Sequence, residues 1–230
     1  MVYYNHQKEK VGDILATKGR SAKNKGSNYE REIAKKLSEM FHTNVQRTGG
    51  SGAYRGIDTA YNHSNIHGDR SFVGDVYFPT EHPLSVFNFE LKNHEGVKLS
   101  HLFNNNGEIP SFLQQVTTDS RRLGGVGNST PCLILHVTRE DDYVVIPFTP
   151  YAYAELTKHG SAMITMLSYD DKRLEHHYRY QVIVTNLSSF GCLDSLKIRD
   201  VYQNYDWEVL NHFKEASKET NPNDYIDKME

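Results

Sequence analysis

The sequence predicts an α/β fold: a mixed central sheet flanked by helices in the order αβββαβ, followed by a carboxy-terminal α+β elaboration. Three observations carry this expectation. Apolar residues recur at helical spacing from Ile33 to Phe41, the segment VFNFELKN (86–93) alternates strictly, and PCLILHV (131–137) is a short continuous apolar run suited to a strand covered on both faces. With 230 residues, of which 37% are hydrophobic and 11% aromatic, the chain can close a real core, which excludes a fibrous or wholly disordered protein.

Each element has a local reason. Residues 1–27 are polar, carry six Lys and Arg, and read as a basic arm. Ser27 followed three residues later by Glu30 fits a capping box, and Ile33, Ala34, Leu37, Met40 and Phe41 carry the helix to about residue 41. Val45–Thr48 reads as a short strand, and residues 49–68, with five glycines, as a loop. Strands are expected over about Phe72–Phe78 and Val86–Asn93, an antiparallel pair joined through the PTEHP turn. A polar loop with Asn104, Asn105, Asn106 and Gly107 leads to a second helix over about Ser111–Leu123, ended by Gly124 and Gly125. PCLILHV then supplies the central strand and YVVIPF (143–148) its neighbour. Beyond Pro150 the patterns predict a short helix, strands near Ala162–Leu167 and Tyr178–Thr185, and a closing helix near Val201–Ala216. The expected organisation is therefore an arm (1–27), a core (28–150) and an elaboration packed on it (151–230).

A net charge of −3, taken as a whole-chain average, argues against a polyanionic partner. The distribution reverses that reading. Residues 1–60 hold 11 Lys and Arg against 6 Asp and Glu, a net of +5, whereas residues 61–230 hold 15 against 23, a net of −8. Two cysteines, Cys132 and Cys192, are too few for a disulfide framework or a cysteine zinc site, and both read as small buried filler in a reducing compartment. The 12 histidines are scattered and lack metal-ligand spacing. No apolar run reaches the ~18 residues of a membrane span, so a soluble, cytoplasmic protein is expected.

The strand VFNFELKN places Asn88, Glu90 and Lys92 on the face opposite Phe87, Phe89 and Leu91. One reading is a solvent-facing polar side with an ion pair. Asp75 favours another, because a lone Asp within SFVGDVYF (71–78) is ill suited to a strand interior. Neighbouring strands that bring Asp75 and Glu90 together make a hard, oxygen-rich cation site, with Lys92 beside it to offset charge on a phosphate or an attacking water. At ~100° per residue Glu30 lies within about 60° of Ile33, Ala34, Leu37 and Phe41, in the middle of the apolar stripe. Capping explains a Glu there, and so does a partly buried carboxylate with a functional partner.

In this order the motifs KGSNYEREIAKKL, RTGGSG, GDV, FELKN, FLQQ and PCLIL resemble the PD-(D/E)XK nuclease superfamily, most closely the archaeal and phage Holliday-junction resolvases, over about residues 25–147. The resemblance implies a restriction-endonuclease-like core and a metal-dependent deoxyribonuclease. It implies Asp75 and Glu90 as ligands of Mg²⁺, for which Mn²⁺ would substitute, Lys92 as the catalytic lysine, and Glu30 as the helix carboxylate that assists metal or water. Ser51 corresponds to the loop serine approaching the scissile phosphate, and Gln115, or its neighbour Gln114, to the polar residue of the second helix. The proline of the superfamily name is replaced by Gly74, and Asp69 in HGDR is a rival to Asp75 as acidic ligand. On this reading Lys8, Lys10, Lys18, Arg20, Lys23 and Lys25, with Arg47 and Arg55, contact DNA phosphates, and a C2 homodimer cuts two strands of a branched substrate. The alternatives on the same fold are a restriction-like or repair endonuclease acting on duplex DNA and a non-catalytic DNA-binding protein. A phage-infected or bacterial cell is the setting the resemblance implies.

Overall fold

The computed structural model describes residues 24–48, 73–138 and 140–212. Helix α1 (24–41) buries Ile33, Ala34 and Leu37 of the predicted stripe, keeps Met40 and Phe41 partly buried against the same core, and also buries Tyr29. It closes on His42 in the left-handed region at φ 51°, with the Thr43 amide bonding back to the Ser38 carbonyl at 3.2 Å, the longer bond of a Schellman closure. Its beginning differs from expectation. Residues 24–26 are already helical, so Ser27 lies inside the helix and is no N-cap, and the Glu30 carboxylate bonds to Arg47 rather than back to the Ser27 backbone.

Seven strands form one sheet in the order β1-β2-β3-β4-β5-β7-β6. They are β1 (Gln46–Arg47), β2 (Val76–Tyr77), β3 (Phe87–Lys92), β4 (Thr130–His136), β5 (Asp142–Pro147), β6 (Ala162–Asp171) and β7 (His176–Asn186). β3 and β4 run parallel and every other neighbouring pair is antiparallel. This is the expected mixed α/β core. Its second strand is much shorter than the expected 72–78: Gly74 adopts φ 79° and turns the backbone, so Asp75 sits in a bend ahead of β2. Phe87, Phe89 and Leu91 face one apolar core with Ile33, Leu37, Cys132 and Ile134. The opposite face of β3 is covered as well, by α3 (Ile109–Arg122), which removes the solvent-facing alternative for Glu90.

The segment before α3 is more ordered than a polar loop. Leu99–Asn104 forms a short helix, α2, closed by Asn105 at φ 48°. α3 starts two residues earlier than predicted because Pro110, lacking an amide proton, fits a first-turn position, and it stops before Gly124 and Gly125, at φ 99° and 63°. Leu113 and Val116 pack with Leu133 and Leu135 in a second core on that side of the sheet.

After β5, α4 (Pro150–His159) is capped by the Thr149 hydroxyl, and the β6–β7 hairpin extends the same sheet past β5. The predicted closing helix is broken among the described residues into α6 (Ser195–Tyr202) and α7 (Val209–His212), after a single turn, α5 (Leu187–Phe190). Between them Trp207 is buried and its indole N–H donates to the Ser129 carbonyl at 2.9 Å, which holds that stretch out of a continuous helix. Cys132 is buried as expected and Cys192 is exposed, contrary to expectation.

Candidate active site

The bend at 73–75 ahead of β2 and the middle of α3 meet on the second half of β3. Gly74 is needed for that approach. A Cβ there would stand 2.5 Å from Asn88 Oδ1 and 2.8 Å from the Phe89 carbonyl oxygen, and the positive φ is closed to proline, whose ring holds φ near −65°. The absence of the superfamily proline thus has a local cause. Asp75, next along, donates its amide to the Phe89 carbonyl at 2.8 Å, accepts from the Thr48 amide at 3.0 Å, and is held by its Oδ2, which accepts from the Leu91 amide at 2.8 Å.

Glu90 projects from the middle of β3 and is fully buried. Its Oε1 accepts from Lys92 Nζ at 2.6 Å and from the Gln115 side-chain amide, whose own oxygen accepts from Lys92 Nζ at 2.8 Å. Residues two apart on one strand face and one residue of the covering helix therefore close a triangle. Phe112, one turn before Gln115, places its ring 5.4 Å from the Lys92 ammonium. Asn88, also on this face of β3, donates to the Val116 carbonyl and the Ser120 hydroxyl and so fixes α3 against the strand. Gln115, rather than Gln114, is the helix residue that reaches Glu90.

The electrostatics join Asp75 to this group. Burial, and after it the Glu90 carboxylate, push the Asp75 carboxyl up from 3.8 to about 7, against the opposing pull of the Leu91 amide and Lys92. Two buried carboxylates near one another disfavour double ionisation. A hard divalent cation relieves that repulsion, and an all-oxygen donor pair suits such an ion better than a soft metal. Among the described residues no group of three or more His, Cys, Asp and Glu side chains stands ready to enclose a metal. Asp75 and Glu90 would hold one from one side, leaving the remaining positions to water and substrate, as Mg²⁺ commonly keeps several waters.

A raised carboxyl pKa has a testable sign. An acid that titrates at 3.8 unfolded and near 7 folded contributes stability that is complete below the lower value and is lost as pH rises through the higher. Metal-free wild-type protein is thus expected to lose melting temperature as pH rises from about 4 to about 7, and Asp75→Asn to flatten that slope. Equal slopes for the two proteins in a chelator-containing thermal melt would refute the assignment of the shift.

Glu30 stands on α1, 15% exposed, with its Oε2 accepting from Arg47 Nε at 2.6 Å. It contributes to the field at Asp75, and its carboxylate is paired with Arg47 on β1. Arg47, expected on DNA, is engaged by Glu30 and remains about one-third exposed. Lys25, at the start of α1, pairs with Glu95 at 2.9 Å. Lys23, Ser51, Arg55 and the rival Asp69 lie outside the described residues, as do Lys8, Lys10, Lys18 and Arg20.

A polar knot that sequence reasoning missed anchors α1. Asp142, opening β5, accepts from the Tyr29 hydroxyl at 3.1 Å and from Lys36 Nζ at 2.9 Å, and His136 Nδ1 lies 3.0 Å from it. Burial raises the Asp142 carboxyl, but the bonds from Lys36, His136 and Tyr29 outweigh it and hold the group below its ordinary value. Tyr29 immediately precedes Glu30, so this knot fixes the height of Glu30 beside the site. The only signal in the sequence was an Asp at the mouth of an apolar strand.

No curated protein and no solved structure matches the chain. A family model described as "Phage putative PDDEXK endonuclease" matches residues 21–203, well over half of the sequence and a span that runs from α1 through α6. PD-(D/E)XK nucleases generally use divalent metals, in keeping with the carboxylate pair. The span contains Asp75, Glu90, Lys92 and Gln115, and the chain belongs to this phage PDDEXK family.

Proposed function

We propose that the protein is a Mg²⁺-dependent DNA endonuclease with a preference for branched substrates such as four-way junctions. The observation that carries the reading is the convergence of Asp75, Glu90, Lys92 and Gln115 from a bend, a strand and a helix onto one place. Asp75 and Glu90 would hold Mg²⁺, or Mn²⁺ in its place, and the ion when bound supplies a lowered pKa for a coordinated water and polarisation of the phosphate. The chain's own contribution is positional and electrostatic. Lys92, held by Glu90 and Gln115, keeps an ammonium fixed beside the carboxylates, where it can orient a nucleophilic water or offset charge on the phosphorane-like transition state. Gln115 blocks free rotation of both side chains. No covalent intermediate is required of any of these groups.

Substrate grip is assigned to the amino-terminal 60 residues, whose net charge of +5 stands against −8 for the rest. Contacts of this kind address phosphates, so affinity is expected to fall steeply with salt and to show little base readout. Resolving a junction needs two cuts, which a C2 homodimer supplies.

The test is a cleavage panel of four-way junction, flap and linear duplex DNA, with and without Mg²⁺. The expected result is Mg²⁺-dependent paired nicks close to the branch point. Cutting confined to particular sequences in linear duplex would replace the junction reading with a restriction-like one, and no cleavage of any substrate with Mg²⁺ or Mn²⁺ would overturn the nuclease reading.

A further inference from the structure

The far edge of the sheet is unlike the rest of the surface. β6 runs for ten residues in unbroken register with β7 and is the last strand of the sheet, so among the described residues no strand pairs with its outer side. It carries none of the features that keep an edge from pairing: no Lys, no Pro and no bulge from Ala162 to Tyr169. Met163, Ile164 and Met166 are 37%, 40% and 46% exposed, which puts apolar side chains on both faces of the same short stretch.

One side chain closes part of this edge. Asn105, held at φ 48° after α2, accepts from the Ser168 amide at 3.0 Å and donates to the Ser168 carbonyl at 3.1 Å, as a neighbouring strand would. Since a residue's N–H and C=O point to the same side of a strand and alternate along it, Ser168 shows which residues look outward. They are Ala162, Ile164 and Met166. The open edge is therefore a five-residue segment, Ala162–Met166, with three outward donor and acceptor pairs and no charge.

We propose that this segment pairs with the same segment of a second copy, antiparallel about Ile164, joining two sheets into one. In that alignment Ala162 faces Met166 of the partner, Ile164 faces its own copy, and the three pairs exchange six main-chain hydrogen bonds. The charges outside the segment agree with it. Antiparallel pairing carries Asp170 and Asp171 of one copy toward the Lys158–His159 end of α4 in the other, whereas parallel pairing sets Asp170 against Asp170. The Asn105–Ser168 bonds end the ladder at both sides and so fix its register. This surface would build the homodimer named above. Its test reads mass and covalent linkage, so its failure leaves the nuclease reading standing and a failed cleavage assay leaves the interface standing.

Sedimentation equilibrium of the full chain is expected to give a dimer, and Ile164→Lys to raise the dissociation constant at least about a hundredfold by setting two ammonium groups face to face. Its far-UV dichroism should be that of the wild type. Independently of that variant's folding, Ile164→Cys in a Cys192→Ser background is expected to form a disulfide-linked dimer on mild oxidation, since directly opposed residues of a hydrogen-bonded pair lie about 5.5 Å apart at Cα. Leu174→Cys, exposed at the hairpin turn, should not. A wild-type monomer, an Ile164→Lys dimer of undiminished affinity, or equal linkage through residues 164 and 174 would each overturn the proposal, the second in favour of another face and the first in favour of an edge covered within the chain.

Discussion

Lys92→Ala is expected to lower Mg²⁺-dependent DNA cleavage about 10²–10³-fold while leaving DNA affinity within about threefold of wild type, the usual range for removing one preorganised electrostatic group. The physical reason lies in the triangle of Lys92, Glu90 and Gln115. The ammonium is 11% exposed and is fixed by two acceptors at 2.6 and 2.8 Å, so it meets a substrate without first being reoriented. Its loss has a second effect that must be separated from the first. Glu90, fully buried, would keep its carboxylate without a cation, a change that commonly destabilises a fold. The companion variant is Lys92→Ala with Glu90→Gln, which removes both charges and should recover melting temperature without recovering cleavage. Asp75→Ala should abolish cleavage as fully and, unlike Lys92→Ala, should remove metal binding measured by calorimetry. Cleavage retained within tenfold by both Lys92→Ala and Asp75→Ala would sink the site assignment. A loss of cleavage that returns in the charge-neutral double variant would remove both Lys92 and Glu90 from the proposed machinery and leave them a role in stability.

The parts of this site legible in the sequence are those governed by short periodicities. Strict alternation in β3 placed Glu90 and Lys92 on one face, and ~100° per residue placed Glu30 within the buried stripe of α1, 15% exposed. The continuous apolar run of β4 read as central because parallel neighbours on one side and helices on both faces leave no polar positions, and six of its seven residues are buried. What stayed hidden depends on long-range partners. Asp75 looks like a strand residue until Gly74 is known to take φ 79°, and that angle follows from the nearness of Phe89 and Asn88, fourteen or more residues away in the chain. The Ser27–Glu30 spacing mimicked a capping box because Glu30 has a partner 17 residues on, which no local pattern reveals. The Asp142 knot gathers Tyr29, Lys36 and His136 across as many as 113 residues. The helix predicted near Val201 failed for a related reason: its periodicity is real on both sides, but burying Trp207 against Ser129 outweighs a continuous backbone ladder.

The same kind of distant partner decides how far the folding unit extends. A division at residue 150 rests on sequence motifs that end near residue 147, whereas the family match continues to residue 203 and Arg121, near the end of α3, binds almost wholly to residues beyond 150. Its Nε donates to Glu208 at 2.6 Å, and its two terminal nitrogens donate to the Tyr169 and Tyr180 hydroxyls at 2.9 and 2.6 Å. The guanidinium lies 4.4 Å from the Tyr178 ring centroid, so one side chain ties α3 to β6, β7 and the approach to α7. Glu208 is 12% exposed on its side chain and also accepts from the Tyr180 hydroxyl at 3.3 Å. Arg121→Ala would leave it without its cation and cost about 2–4 kcal/mol, reduced from the fully buried case because Arg121 is itself 32% exposed. At a few degrees per kcal/mol for a chain of this size, the melting temperature should fall by about 5–12 °C. Arg121→Lys should recover little, since one ammonium cannot span three acceptors in a planar fork, and Arg121→Met with Glu208→Gln should recover more by removing the stranded charge. Because α3 also carries Gln115, the loss should appear as a single cooperative transition that takes nuclease activity with it. Two separate transitions, with the site surviving the first, would show that the residues after 150 are an independent layer on a self-sufficient core.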